Sequence, residues 1–164
     1  MLHSVARRGD IEMGSFTQLS YHIVFGTKHR HPTITPGLRE ELYKYVGGVI
    51  RNKEGSAIEI GGVADHIHIF TGLPSTVAVA DMVRDIKSNP SAWAGAKTKD
   101  RWEWQIGYGA FTVSYSLRDK VATYVRNQEE HHRVKSFQEE YVELLTKHGI
   151  KFDMKYLFEG EHHG

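Results

Sequence analysis

His66 and His68 stand one residue apart in the run Gly61-Gly62-Val63-Ala64-Asp65-His66-Ile67-His68-Ile69-Phe70. Strand side chains alternate with a period of two, so on a strand Ile67 and Ile69 share one face and the two histidines share the other. Imidazoles about 7 Å apart on a rigid strand can converge on one cation, while the isoleucine between them anchors the strand in the core. The same pattern also describes a half-exposed polar face with no metal, because short motifs recur by chance. His29-Arg30-His31 has the same spacing, but its middle residue is charged and Pro32 follows. That favours an extended basic loop with Lys28, and this pair is given no metal role.

A second group lies far along the chain. Placed at helical steps, Leu117, Val121 and Val125 form an apolar stripe, and Tyr124 and Gln128 fall within it one turn apart. A buried glutamine amide without a partner costs on the order of 1 to 3 kcal/mol, and a metal or a polar site removes that cost. A tyrosine there is by itself a core aromatic with its hydroxyl at the rim. Beside Gln128 and the histidine pair it becomes a candidate nucleophile. His66, His68 and the Gln128 amide oxygen give a cation three ligands and leave positions open for water and a phosphate oxygen. Tyr124 could then attack phosphorus in line, displace a 3′ hydroxyl and retain the phosphoester energy in a phosphotyrosine. Strands would be cut and rejoined without ATP, and no P-loop sequence is present.

The elements that must position these groups follow from periodicity. Residues 19–25 alternate as a first strand, 37–53 read as a helix, and 57–63 and 66–70 form strands joined by a hairpin with a bulge or tight turn near Gly61-Gly62. Pro74-Ser75 opens a helix of about 20 residues that Pro90 must break or kink. Residues 102–114 read as a long aromatic strand, with Gly107 and Gly109 at a bulge or close approach. Helices over 117–132 and 136–147 follow, and 150–158 reads as extended. This order predicts an α+β, ferredoxin-like (RRM-like) split β-α-β antiparallel sheet with helices on one face and added C-terminal helices. Residues 1–14 lack periodicity and read as a disordered or non-native arm before a single domain over 15–164.

Composition limits the choices. The 164 residues contain no cysteine, which excludes disulfides, thiolate zinc sites and a cysteine nucleophile. No apolar run spans a bilayer and the start lacks a secretion signal, so the expected location is the cytoplasm, without a membrane partner. The formal net charge of +1 divides at Ser136 into 18 basic against 14 acidic residues up to there and 3 against 6 after it. The motifs lie on the basic part. Candidates for holding DNA are Lys28, Arg30, Arg84, Lys87, Arg126, His132 and Arg133, with Trp93 or Trp102 either stacking on bases or filling the core.

His66-Ile67-His68 resembles the His-hydrophobe-His motif, and Tyr124-Val125-Arg126-Asn127-Gln128 the tyrosine helix, of the single-tyrosine HUH transposases of small bacterial insertion sequences, including the REP-associated relatives. Further likeness lies in Tyr21-His22-Ile23-Val24-Phe25-Gly26-Thr27-Lys28 and in Gly107-Tyr108-Gly109-Ala110-Phe111-Thr112-Val113-Ser114. The resemblance implies Tyr124 as the nucleophile, His66, His68 and Gln128 as ligands of Mg²⁺ or Mn²⁺, single-stranded DNA with hairpins at element ends as substrate, and a homodimer. It implies a transposase that cuts and rejoins DNA through a covalent 5′-phosphotyrosine. Two alternatives stand beside this: a domesticated relative acting on chromosomal palindromic repeats, and a non-catalytic module that binds single-stranded nucleic acid.

Overall fold

Four apolar or alternating runs pair into one antiparallel sheet in the computed structural model, which describes residues 15–94 and 102–158. The strands are β1 (Ser20–Gly26), β2 (Ser56–Val63), β3 (His66–Gly72) and β4 (Gly109–Thr112), in the order β2-β3-β1-β4. The helices are α1 (Pro36–Asn52), α2 (Val79–Lys87), α3 (Ser91–Ala94), α4 (Arg118–Arg126), α5 (Gln128–His131), α6 (Phe137–Lys147) and α7 (Met154–Leu157). α1 joins β1 to β2 and α2 lies between β3 and β4, which is the ferredoxin-like arrangement expected from the sequence.

The sheet is covered on both faces. Ile23, Phe25, Ile67 and Ile69 pack against Leu42, Val46 and Ile50 of α1 and Met82, Val83 and Ile86 of α2. On the opposite face, Val24 and Phe111 meet Phe137, Tyr141 and Leu145 of α6, while Phe70 meets Val113 and Val125. The C-terminal helices therefore form a second layer, and both β1 and β3 are buried along most of their length. Ser136 starts α6 by accepting a hydrogen bond from the Glu139 amide, and Thr35 does the same for α1 from Leu38.

Gly61 sets how closely the tyrosine helix lies on the sheet. A Cβ at Gly61 would sit 1.9 Å from the Val125 carbonyl oxygen, so only glycine admits α4 at this distance. Gly109 has a similar role, since a Cβ there would lie 2.9 Å from the Tyr141 ring. The turn of the β2–β3 hairpin itself is Ala64-Asp65.

Several boundaries differ from the sequence expectation. The helix after Pro74 begins only at Val79, because residues 74–78 turn first, with the Val77 amide on the Pro74 carbonyl. The expected strand over 102–114 is ordered as a ladder only from Gly109 to Thr112, with a single bridge from Trp104 to Thr27. Trp102 and Trp104 instead pack edge-on and tilted against Trp93, and Gly107 takes φ +86° between the two pieces. The helix expected over 117–132 is preceded by a 3-10 turn at Tyr115–Leu117 and breaks at Asn127, which has ψ 31°. The tail over 150–158 includes α7 rather than running fully extended. The expected N-terminal arm over 1–14 lies outside the described residues, as do residues 95–101.

Candidate metal and tyrosine site

His66 and His68 project from β3 toward the second helical layer, and both are fully buried. The half-exposed polar face is thereby ruled out. Each ring has its Nδ1 atom held by another group. The Asp65 carboxylate lies 2.7 Å from His66 Nδ1, and His22 Nε2 on β1 lies 2.7 Å from His68 Nδ1. A third imidazole, His132, follows α5 and has its Nδ1 2.6 Å from the Lys135 carbonyl oxygen.

With Nδ1 occupied, every Nε2 atom turns to the same point, Glu140 Oε1 on α6. The distances are 3.4 Å from His66, 2.8 Å from His68 and 3.1 Å from His132. The ligand atoms of these four residues all lie within 4.8 Å of one another. The buried Gln128 donates its amide hydrogen to the Tyr124 carbonyl oxygen at 2.9 Å, which aims Oε1 inward, 3.0 Å from His132 Nε2 and 3.5 Å from His66 Nε2. Tyr124 is half-buried, its ring edge-on to His22 and His68, and its hydroxyl donates to the second oxygen of Glu140, Oε2. His131 Nε2 lies 3.4 Å from the same hydroxyl. Phenol and paired imidazoles thus meet within one chain.

The charges follow from this packing. Burial pushes the Glu140 carboxyl up, but hydrogen bonds from His132, His66 and His68 outweigh it and hold the group well below the carboxylate range. His68 is lowered to about 4 by burial, against the pull of Glu140, so it stays neutral at physiological pH. Burial would also lower His66, but Asp65 and Glu140 overcome it and the net shift is upward. His22 is lowered by burial and by His68. Burial raises the Tyr124 phenol, and the charge and hydrogen bond of Glu140 add to that.

This donor set fits a divalent cation. Histidine ligands characteristically have the far ring nitrogen held by a carboxylate, a carbonyl or another polar group, as at all three rings here. Three inward imidazole nitrogens, a carboxylate oxygen and an amide oxygen match the ligand chemistry of first-row divalent metals.

Of the residues expected at the site, His66, His68, Gln128 and Tyr124 come together. His132, expected as a DNA contact, instead points into the cluster. Arg30 and Arg133 line a cleft of about 550 Å³ that also borders His132, Arg39 and Lys135. Arg126 pairs with Glu59 at 2.9 Å and Lys28 with Glu103 at 2.5 Å. Arg84 and Lys87 lie on α2, across the sheet from the histidines, where Lys87 donates to the Gln105 and Gly107 carbonyls. Trp93 and Trp102 belong to that far core, which favours the core reading over stacking on bases.

Glu140, His22 and Asp65 were not singled out from the sequence. Glu140 carries a faint signal, standing about 60° from Phe137 around the helix, at the border of the apolar stripe of α6. His22 shares a strand face with the buried Val24, which is the corresponding sign on β1.

A ferredoxin-like sheet whose His-hydrophobe-His strand faces a tyrosine helix defines a small HUH-type transposase. The chain belongs to the IS200-like transposase family, whose model matches residues 15–128. It is 24% identical over 123 residues to the ISDra2 transposase TnpA of Deinococcus radiodurans, covering 70% of this chain and 87% of that protein. Two solved structures share the fold. A candidate transposase from Deinococcus radiodurans R1 superposes with a TM-score of 0.51 at 20% identity, covering 70% of this chain and 94% of the other. A REP-associated tyrosine transposase bound to a REP hairpin gives 0.52 at 14% identity, covering 75% and 70%. Among the described residues no helix is long and apolar enough to cross a membrane.

Proposed function

We propose that this transposase is a metal-dependent single-stranded DNA endonuclease and strand transferase that works through a 5′-phosphotyrosine at Tyr124. The observation that carries the reading is one carboxylate shared by the Tyr124 hydroxyl and three inward imidazole nitrogens. His66, His68 and Gln128 would hold Mg²⁺ or Mn²⁺, with His132 and Glu140 within reach of the same ion. Bound there, the ion supplies Lewis acidity and charge neutralisation at a phosphate oxygen. The half-buried phenol forms the bond to phosphorus and a 3′ hydroxyl leaves. Water is limited at this point by Phe137, which stacks on His66, and by α6 as a whole.

The substrate is single-stranded DNA with hairpins at element ends, a reading supported by the hairpin bound to one of the relatives of this fold. The cleft lined by Arg30, Arg39, Arg133 and Lys135 opens beside His132 and suits the phosphates that flank the scissile bond. A homodimer is part of the proposal, as the family resemblance implies.

The test is to incubate purified protein with hairpin-bearing single-stranded DNA and Mg²⁺ or Mn²⁺, then denature. A protein-DNA adduct that survives denaturation and disappears both with chelator and in Tyr124→Phe is the expected result. Equal adduct yield from Tyr124→Phe would falsify the assignment.

A further inference from the structure

The family match ends at Gln128, yet the residue that joins the phenol to the imidazoles lies beyond it, on α6. We propose that Glu140 is a catalytic residue, the general base that takes the Tyr124 proton as the phenol attacks phosphorus. The proposal rests on the strand-transferase reading of the same site and names its proton acceptor.

The two oxygens of Glu140 face different groups. Oε1 is turned to the Nε2 atoms of His66, His68 and His132, while Oε2 accepts the Tyr124 hydroxyl and lies 3.3 Å from His131 Nε2. A general base must stand within hydrogen-bond reach of the proton it removes, and Oε2 does. The carboxylate is 1% exposed and fixed from several sides, so it is pre-organised for this one proton. His131 Nε2 also reaches the hydroxyl, but from 3.4 Å, which makes it the weaker acceptor. The hydrogen bond that Tyr124 donates leaves the oxygen lone pairs free to attack.

In the forward step the bond from Tyr124 Oη to phosphorus forms and the bond from phosphorus to O3′ breaks. The phenol proton passes to Glu140 Oε2, and the electron pair leaving on O3′ takes a proton from water. Release of the Glu140 proton to solvent makes the step proton-neutral. In the reverse step a 3′ hydroxyl attacks phosphorus, the tyrosine oxygen leaves, and Glu140 returns a proton to it. Proton loss follows bond formation, because an aryl oxygen bonded to phosphorus holds its proton far more weakly than a free phenol. A weakly basic carboxylate is therefore sufficient.

The test compares single-turnover adduct formation by wild type and Glu140→Gln on hairpin-bearing single-stranded DNA at saturating Mn²⁺, with Mn²⁺ binding measured separately by titration calorimetry. The amide keeps the shape of the carboxylate and loses its basicity, so a rate loss of about 100-fold or more is expected at full metal occupancy. Replacing Tyr124 by difluorotyrosine, a more acidic phenol, is expected to recover at least roughly tenfold of that loss in Glu140→Gln while changing wild type far less, since a more acidic phenol depends less on a base. Recovery also establishes that the variant is folded. Glu140→Gln reacting at the wild-type rate, or a slow variant that difluorotyrosine does not rescue, overturns the role of Glu140 alone. Metal-loaded wild type that forms no adduct on any hairpin substrate overturns the strand-transferase reading itself, and the base with it.

Discussion

A neutral imidazole has one nitrogen that donates and one that accepts, so whichever group holds Nδ1 decides what Nε2 can do. At this site the Asp65 carboxylate and the Lys135 carbonyl can only accept from Nδ1 of His66 and His132, which leaves Nε2 bare as a ligand nitrogen whenever those rings are neutral, while His22 holds Nδ1 of His68. His22→Phe keeps a ring of similar size but frees His68 Nδ1. Mn²⁺ affinity measured by calorimetry is expected to fall by roughly 10- to 100-fold, as for other residues that orient metal ligands. Unchanged affinity would mean that His68 is oriented by packing alone. The donor set carries a second expectation, since imidazole nitrogen suits Mn²⁺ better than Mg²⁺. Mn²⁺ is expected to bind more tightly than Mg²⁺ by roughly tenfold or more, and a titration giving equal constants would contradict ligation by imidazole nitrogen. His66, His68, Tyr124 and Gln128 were legible in the sequence because each pair is local, two residues apart on a strand or one turn apart along a helix. Glu140 and His22 arrive from other elements, and no local spacing records where α6 or β1 will lie relative to β3.

At the scale of elements, the position of the tyrosine helix depends on one missing methyl group. Gly61→Ala would drive a Cβ into the Val125 carbonyl oxygen, and backbone yields less easily than a side chain. The expected loss is about 1 to 3 kcal/mol by chemical denaturation, together with weaker adduct formation as α4 lifts from β2. Gly48→Ala is the contrast, because a Cβ within α1 meets nothing within 4 Å. It is expected to stabilise by about 0.5 to 1 kcal/mol through helix propensity. On the far face, burial lowers Lys87 from its ordinary 10.5 to about 8. Below about 8 both folded and unfolded chains carry this proton. Between about 8 and 10.5 the unfolded chain binds more of it, so the Lys87 contribution to stability rises with pH across that window. Lys87→Met should flatten that part of the pH profile of unfolding, and a profile that keeps its slope would assign it to other groups. The failed expectation of a long strand over 102–114 has a related cause. Alternating aromatics read as a ladder, but Trp102 and Trp104 are spent on the tryptophan cluster with Trp93, and Gly107 turns the chain away. A period of two does not say whether a partner strand is present.

For the molecule as a whole, the site is the place where its layers meet. β1 and β3 contribute His22, His66 and His68, the segment after α4 contributes Gln128 and His132, and α6 contributes Glu140. The apolar contact of α6 with Val24 and Phe111 lies on the same face, so the second layer is held by hydrophobic packing and by the polar cluster together. An ion bound there would link sheet to helices, and unfolded chain would lose that ligand set. Binding to the folded state alone stabilises by mass action, about 2.7 kcal/mol at a free metal concentration 100 times the dissociation constant. Thermal unfolding of wild type is therefore expected to shift upward with Mn²⁺ and to continue rising with the logarithm of its concentration above saturation. His66→Ala removes one inward nitrogen and leaves Glu140 with fewer donors, so its transition is expected to start lower and to respond far less to Mn²⁺. Tyr124→Phe offers the opposite comparison, because it removes the phenol hydroxyl but none of the ligand atoms, and its Mn²⁺ shift should match wild type. If His66→Ala and wild type shift equally, the ion is binding elsewhere, and the convergence of three imidazoles on Glu140 would be an internal ion-pair network that holds α6 to the sheet.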